Sequence, residues 1–127
     1  MNIAGGIDLG GTKIEAQRFD HNWDIGEKRR IDTPKTYPEL LSTMAMLISW
    51  LKGSDAALPI GVAAAGLLNP TTGASIAANL PSHGQKFHRD LEAECNAALT
   101  LTNDCRAFVQ AEARFGSGSQ TGCMLGI

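Results

Sequence analysis

Gly6-Ile7-Asp8-Leu9-Gly10-Gly11-Thr12-Lys13 is the stretch of this sequence that decides its fold. The apolar run over residues 3–7 and the alternating run over residues 14–19 both predict β-strands. The glycines are therefore predicted to form the turn of a hairpin. This placement excludes two common glycine motifs, because a dinucleotide-binding loop opens into a helix and a Walker A loop has Lys directly after its last Gly.

The predicted hairpin has the residue types of an anion-binding loop. Glycines at positions 10 and 11 allow positive φ and close backbone approach, and consecutive N–H groups form a nest for an anion. Asp8, at the end of the first strand, is placed to bind Mg²⁺ directly or through water. An ordinary Gly-Gly turn is the alternative, since Asp and Thr are also common around turns. The candidate phosphate-binding residues are Gly6, Asp8, Gly10, Gly11, Thr12 and Lys13.

Length, composition and charge indicate one globular domain. The 127 residues are 43% hydrophobic and 19% charged, and their formal net charge is -2. This is enough chain to bury a core, without the basic excess of a nucleic-acid-binding protein. Three cysteines without a C-x-x-C pair indicate neither a disulfide framework nor a zinc site. With no signal peptide and no apolar run of membrane length, we expect a cytoplasmic protein without nucleic-acid or membrane partners.

The order of the predicted elements indicates a fold class. Periodicity and turn signals predict strands over residues 3–7, 14–19 and 23–31, a helix from residue 39 to Gly53, a strand over 58–65, a polar loop over 66–73, a short extended segment over 74–78, a helix over 88–97, a strand over 98–102, a helix over 105–115, and the start of a strand over 121–127. This order is typical of an α/β, ribonuclease H-like (actin-like ATPase) domain. Its mixed sheet has three antiparallel strands followed by a βαβαβ unit.

Candidate substrate residues follow the predicted strands. Gly66 would allow a substrate to approach the backbone, and Asn79 would bind a sugar from a polar loop. Asn103 and Asp104 lie at a strand-to-helix junction, where Asp104 would act as general base for a hydroxyl and Asn103 would orient the same substrate. Each has a structural alternative, namely a turn glycine, an Asx turn and a helix N-cap.

Taken together, the motifs resemble those of the ROK family of sugar kinases and repressors. IDLGGTKIEA (residues 7–16) is similar to the first phosphate motif of the family, and LTNDCRAFVQAEARFG (101–116) to its catalytic segment, with Cys105 where the family usually has Ala. GVAAAGLLNP (61–70) and ANLP (78–81) resemble the loops on its sugar side. The stretch over residues 77–104 looks most like the N-acetylglucosamine kinase branch.

The resemblance implies a sugar kinase that uses ATP and Mg²⁺. Its substrate would be a hexose or N-acetylhexosamine, with N-acetylglucosamine favoured. Asp104 would take the proton from a sugar hydroxyl as it attacks the γ-phosphate. Asp8 would help hold Mg²⁺, while the glycine hairpin and its Lys13 would steady the transferring phosphate. The sugar would be lined by Gly66, Asn79, Asn103 and Asp104.

The resemblance also predicts what surrounds this chain. In the family, a second phosphate hairpin, a zinc motif and an adenosine site lie downstream of the position of residue 127. We therefore expect residues 1–127 to be the amino-terminal domain of a two-domain kinase whose carboxyl-terminal domain is absent, and the isolated chain to be inactive. A homodimer of the full-length protein is left open.

Two other function classes were weighed against the kinase. One is the sugar-sensing domain of a ROK-type transcriptional repressor, although no basic helix precedes the first strand and a sensor would not need Asp8, Lys13 and Asp104 together. The other is a non-enzymatic actin-like protein, which would not need Asn103 and Asp104 at a strand end. The kinase is therefore the favoured interpretation.

Overall fold

The computed structural model describes residues 2–64, 66–77 and 79–103. Its elements are β1 (Asn2–Leu9), β2 (Lys13–Asp20), β3 (Ile25–Asp32), α1 (Tyr37–Lys52), β4 (Ile60–Ala64), β5 (Leu67–Leu68), β6 (Ser75–Ile76), α2 (Phe87–Cys95) and β7 (Thr100–Asn103). Asp104, the helix predicted over residues 105–115 and the strand predicted over 121–127 lie outside the described residues.

Five of the strands form a mixed sheet in the order β3-β2-β1-β4-β7. β1 pairs antiparallel with β2, and β2 antiparallel with β3. On its other side β1 pairs parallel with β4, which in turn pairs parallel with β7. The predicted antiparallel strands and the parallel strands that follow them are therefore confirmed. β4 lies between two strands, as its continuous apolar sequence predicted.

Helix α1 covers one face of this sheet. Thr36 caps it, since its side-chain oxygen accepts the N–H of Glu39, and Gly53 ends it with a φ of 57°. The buried stripe of α1 comprises Leu40, Met44, Leu47, Ile48 and Leu51. It shares one core with the strand residues Ile7, Leu9, Ile14, Ala16, Ile60 and Val62. Burying each large apolar side chain stabilises the fold by about 1.5 to 3 kcal/mol. Within the described residues, no helix is long and apolar enough to cross a membrane.

Helix α2 packs beside the first turn of α1. The rings of Tyr37 and Phe87 meet edge-on with 6.4 Å between their centroids. The Tyr37 hydroxyl donates to Asp90 Oδ2 at 2.7 Å. Burial, together with the Asp90 carboxylate, raises the pKa of Tyr37, while the hydrogen bond from Tyr37 lowers the pKa of Asp90. These contacts fix α2 against α1.

Helix α2 also determines where β7 begins. Glu92 Oε2 accepts the N–H of Leu99 at 2.8 Å. His88 Nε2 lies 2.8 Å from the Leu99 carbonyl oxygen and is the donor, because a carbonyl only accepts. One helix therefore holds both backbone groups of the residue that precedes β7.

The loop after β4 contains more regular structure than the sequence predicted. β5 and β6 pair antiparallel as a small separate hairpin, so the predicted loop over residues 66–73 is wrong at Leu67 and Leu68. Asn69 shapes its turn, since Asn69 Oδ1 accepts the N–H groups of Thr71 and Thr72 at 2.9 and 3.2 Å. Strands of two residues are too short to produce a periodic pattern.

The third strand begins two residues later than predicted. Asp20 Oδ1 accepts the N–H groups of Asn22 and Asp24 at 2.8 and 3.0 Å. This carboxylate holds a tight turn in which Trp23 has a φ of 64°. Because such a conformation cannot continue a strand, β3 starts at Ile25 and not at Trp23.

Candidate active site

The carboxyl ends of the three parallel strands meet at one edge of the sheet. Leu9, Ala64 and Asn103 lie opposite one another in a single row across β1, β4 and β7. Because neighbouring strands are spaced by about 4.8 Å, the ends of β1 and β7 lie about 10 Å apart. Ligands of open α/β sheets bind outside such ends. This edge therefore brings together the glycine hairpin, the loop after β4 and the residue before Asp104.

The glycine hairpin faces solvent at Gly11, Thr12 and Lys13. It is closed by the Gly10 N–H, which donates to the Lys13 carbonyl oxygen at 3.0 Å. This N–H therefore points into the turn and not toward a ligand.

Close packing, and not positive φ, accounts for glycine in this hairpin. A Cβ on Gly11 would lie 3.0 Å from Asn79 Cβ, and a Cβ on Gly10 would lie 3.1 Å from the Lys13 carbonyl oxygen. On β1, a Cβ on Gly6 would lie 3.2 Å from Phe19 Cε2. Neither Gly10 nor Gly11 adopts the positive φ that the sequence allowed for them. Among the described residues, the glycines with positive φ are Gly53, Gly66, Gly73 and Gly84.

Thr33, directly after β3, holds the hairpin in place. Its Oγ1 donates to the Gly10 carbonyl oxygen at 2.7 Å, and its N–H donates to the Thr12 carbonyl oxygen at 2.9 Å. Thr33 is only 8% exposed, so water competes little for these bonds. No sequence motif marks Thr33 as a site residue. The available signal was its position, since the end of β3 must lie beside the start of β2.

Replacing Thr33 by Val should lower the free energy of unfolding by about 1 to 2 kcal/mol, because the Gly10 carbonyl loses its donor. Urea denaturation of the chain measures this. Thr33→Ser keeps the hydroxyl and is the matched control. Equal stability of the Val and Ser variants would show that the side-chain hydrogen bond contributes nothing.

Lys13 pairs with a carboxylate on the neighbouring strand. Lys13 and Asp32 lie directly opposite each other on β2 and β3, and the Lys13 ammonium donates to Asp32 Oδ1. This hydrogen bond and the Lys13 charge lower the pKa of Asp32. The two side chains are 47% and 82% exposed, so the pair is weak. The cation predicted to steady phosphate therefore has its charge balanced locally.

A cleft of about 610 Å³ lies beside the hairpin. Its lining combines Gly11 and Thr12 of the hairpin, residues 32–35 at and after the end of β3, and residues 79–81. The volume lies within the range of small-molecule sites. The cleft therefore joins part of the predicted phosphate loop to the predicted sugar residue Asn79. A second cavity of about 660 Å³ lies between the ends of α1 and α2, and none of the predicted site residues lines it.

The other predicted sugar-binding residues in the described part of the chain are Gly66, Asn79 and Asn103, and packing alone accounts for the first of them. Gly66 has a φ of 102°, and a Cβ there would lie 2.3 Å from the Ile76 carbonyl oxygen. Packing against β6 therefore accounts for this glycine without a ligand. Asn79 is exposed and faces Gly11, and Asn103 ends β7. With Asp104 outside the described residues, the sugar-binding roles stay predictions.

Asp8 is the candidate Mg²⁺ ligand among the described residues. It is exposed near the end of β1, opposite Glu15 on β2 and Ala63 on β4. The described part of the chain has no cluster of three or more His, Cys, Asp or Glu side chains that would bind a metal ion. Mg²⁺ that accompanies a nucleotide needs only one or two carboxylates, since phosphate oxygens and water complete its shell. Asp8 fits this demand.

The mixed sheet, with its two parallel strands beside three antiparallel ones, defines a domain of the actin-like ATPase class. Sequence comparison matches residues 4–127 to the ROK family, and the chain belongs to that family. The predicted fold class and the predicted family are therefore both confirmed.

Relatives of this chain include sugar kinases. It is 32% identical over 125 residues to an N-acetylgalactosamine kinase from Shewanella sp. (strain ANA-3), covering 96% of this chain and 40% of the relative. It is 34% identical over 114 residues to an N-acetyl-D-glucosamine kinase from Pectobacterium atrosepticum, covering 85% and 36%. The chain thus spans about 40% of the length of these curated relatives.

A solved structure supports the fold assignment. A ROK family glucokinase from Streptomyces griseus, in complex with glucose and AMPPNP, aligns with a TM-score of 0.77 and 24% identity. The alignment covers 94% of this chain and 38% of that chain. At this identity the likeness shows the fold alone.

Proposed function

We propose that the protein containing this chain transfers the γ-phosphoryl group of ATP to a hydroxyl of a hexose or N-acetylhexosamine. Residues 1–127 would form the amino-terminal domain of a two-domain kinase. The observation that carries the proposal is the shared edge where the glycine hairpin, the Asn79 loop and the end of β7 meet. Membership of a family whose relatives are sugar kinases supports it.

In this proposal the two sides of the edge have different tasks. On one side, Gly11, Thr12 and Lys13 of the hairpin hold the transferring phosphoryl group, while Gly10 closes the turn that positions them and Asp8 binds Mg²⁺. The bound Mg²⁺ would neutralise charge on the phosphates. Because phosphoryl transfer requires little covalent chemistry from the protein, positioning and charge stabilisation provide most of the catalysis. Thr33 contributes by fixing the hairpin.

The other side of the edge would bind the sugar and remove its proton. In the sequence, Asp104 directly follows Asn103, the last residue of β7. It would accept the hydroxyl proton as general base. Gly66, Asn79 and Asn103 would line the sugar.

N-acetylglucosamine is the favoured substrate. The two relatives at 32% and 34% identity are named for N-acetylhexosamines. The glucokinase, at 24% identity, supports the fold only.

The test is an assay of the complete protein with ATP and Mg²⁺ against N-acetylglucosamine, N-acetylgalactosamine, glucose, mannose and fructose. Release of ADP should depend on an N-acetylhexosamine and stop when EDTA removes Mg²⁺. The 127-residue chain alone is the control and should be inactive. Sugar binding without any phosphorylation would instead favour the repressor-type sensor.

A further inference from the structure

Lys35 is a charged residue of the cleft that the proposed mechanism does not use. It lines the same cleft as Gly11 and Thr12 of the phosphate hairpin. It is exposed, and it lies two residues beyond Thr33, whose two hydrogen bonds fix the backbone to that hairpin. Two residues span at most about 7 Å, and the proline between them has a fixed φ. The backbone of Lys35 is therefore held near the hairpin.

Among the charged residues that line the cleft, Lys35 is the one whose positive charge is available to an anionic ligand. The charged residues that line the cleft are Asp32 and Lys35. Asp32 is already paired with Lys13, so these two charges largely cancel. Lys35 takes part in none of the ion pairs found among residues 2–64, 66–77 and 79–103. The net positive charge at this side of the cleft therefore comes from Lys35.

The ligand class follows from this position. A compact, strongly hydrated ammonium on a cleft that is also lined by Gly11 and Thr12 suits a phosphate chain. The cleft volume of about 610 Å³ is that of a small-molecule site, and Gly11 and Thr12 line it together with Lys35.

We propose that Lys35 binds the polyphosphate chain of the phosphoryl donor beside the glycine hairpin. The proposal rests on the proposed kinase function and adds to it a binding residue outside the glycine motif. It makes Lys35 a source of charge attraction for the donor in addition to Lys13, whose charge Asp32 partly offsets. The chemistry recognised is the polyphosphate chain, which a nucleoside triphosphate and inorganic tripolyphosphate share.

A titration of the ¹⁵N-labelled chain with inorganic tripolyphosphate tests the proposal directly. The amide signals of the hairpin should shift, and Lys35→Gln should raise the apparent Kd about 3- to 10-fold. Lys28→Gln is the matched control, because Lys28 is also an exposed lysine near the hairpin sheet but does not line the cleft. It should change the Kd less than about 2-fold, since exposed charges at a distance are screened.

Three outcomes would overturn the proposal. The first is an equal loss of affinity in the Lys35 and Lys28 variants, and the second is no hairpin response to millimolar tripolyphosphate in the wild-type chain. In a parallel titration with Mg²⁺ and ATP, Lys35→Gln should weaken binding by the same factor. The third outcome is a loss of affinity for ATP without a loss of affinity for tripolyphosphate. It would place Lys35 at the nucleoside and not at the polyphosphate chain.

Kinetics of the complete protein provide a second and separable measurement. Lys35→Gln should raise KM for ATP about 3- to 10-fold, with kcat and the KM for sugar nearly unchanged, because binding is the step that loses a contact. A fall in kcat alone would contradict the binding role. If the wild type phosphorylates no sugar, the proposed function fails, whereas the tripolyphosphate titration still decides the role of Lys35.

Discussion

Replacing Asp104 by Asn is expected to lower the turnover of sugar phosphorylation about 100- to 10,000-fold, the usual contribution of a positioned general base. The amide has nearly the shape of the carboxylate, but it cannot accept the hydroxyl proton. Sugar affinity should stay within a few-fold, because the amide still forms hydrogen bonds. The complete protein is assayed for ADP release, and sugar binding is measured separately by calorimetry.

Asp24→Asn is the matched control for this change. Asp24 is an exposed carboxylate in the turn between β2 and β3, at the opposite end of β2 from the glycine hairpin. Its replacement removes the same charge and should leave turnover unaltered. Turnover of the Asp104 variant close to that of the wild type would remove Asp104 from the role of base. A parallel loss of sugar binding would assign it to recognition instead.

Replacing Gly66 by Ala is expected to lower the free energy of unfolding by about 2 to 4 kcal/mol. Two effects add at this position. The φ of 102° is one that residues with a side chain rarely adopt. In addition, the new Cβ would lie 2.3 Å from the Ile76 carbonyl oxygen and 2.8 Å from Ala77 Cβ, so β6 would have to move.

Gly73→Ala separates these two effects. Gly73 also has a positive φ, 74°, but a Cβ there would have no heavy atom within 4 Å. Only the backbone strain is then present, and the loss should be about 1 kcal/mol. Urea denaturation of both variants gives the comparison. Equal losses in the free energy of unfolding would show that the close packing of Gly66 against β6 contributes nothing to the effect of Gly66→Ala.

The sequence predicts the fold where its signals are long and local. The stripe of α1 repeats over about three turns, from Leu40 to Leu51, so few other structures accommodate it. The glycine hairpin is equally clear, because the run after it alternates like a strand and lacks the spacing of a helix. These two features determine the order of elements, and the order determines the class of sheet.

The contacts that shape the cleft are not readable from local patterns. Thr33 belongs to no sequence motif. Its role follows from the pairing of β3 with β2, which brings its hydroxyl to the Gly10 carbonyl oxygen. The pairing of Lys13 with Asp32 likewise depends on a register between strands. Sequence motifs assign Lys13 to phosphate, while the tertiary structure pairs it with Asp32 and leaves Lys35, among the described residues that line the cleft, outside any ion pair.

The glycine-hairpin side and the β4–β7 side of this edge also differ in the sequence separation of the residues that pair to form them. Leu9 meets Ile14 across a short turn, but it meets Ala64 only after about 55 positions. Loop closure over the longer path costs about 2 kcal/mol more in chain entropy. The glycine-hairpin side is thus assembled by contacts within one β-meander. The entropic cost of building the edge falls mainly on the side of β4 and β7.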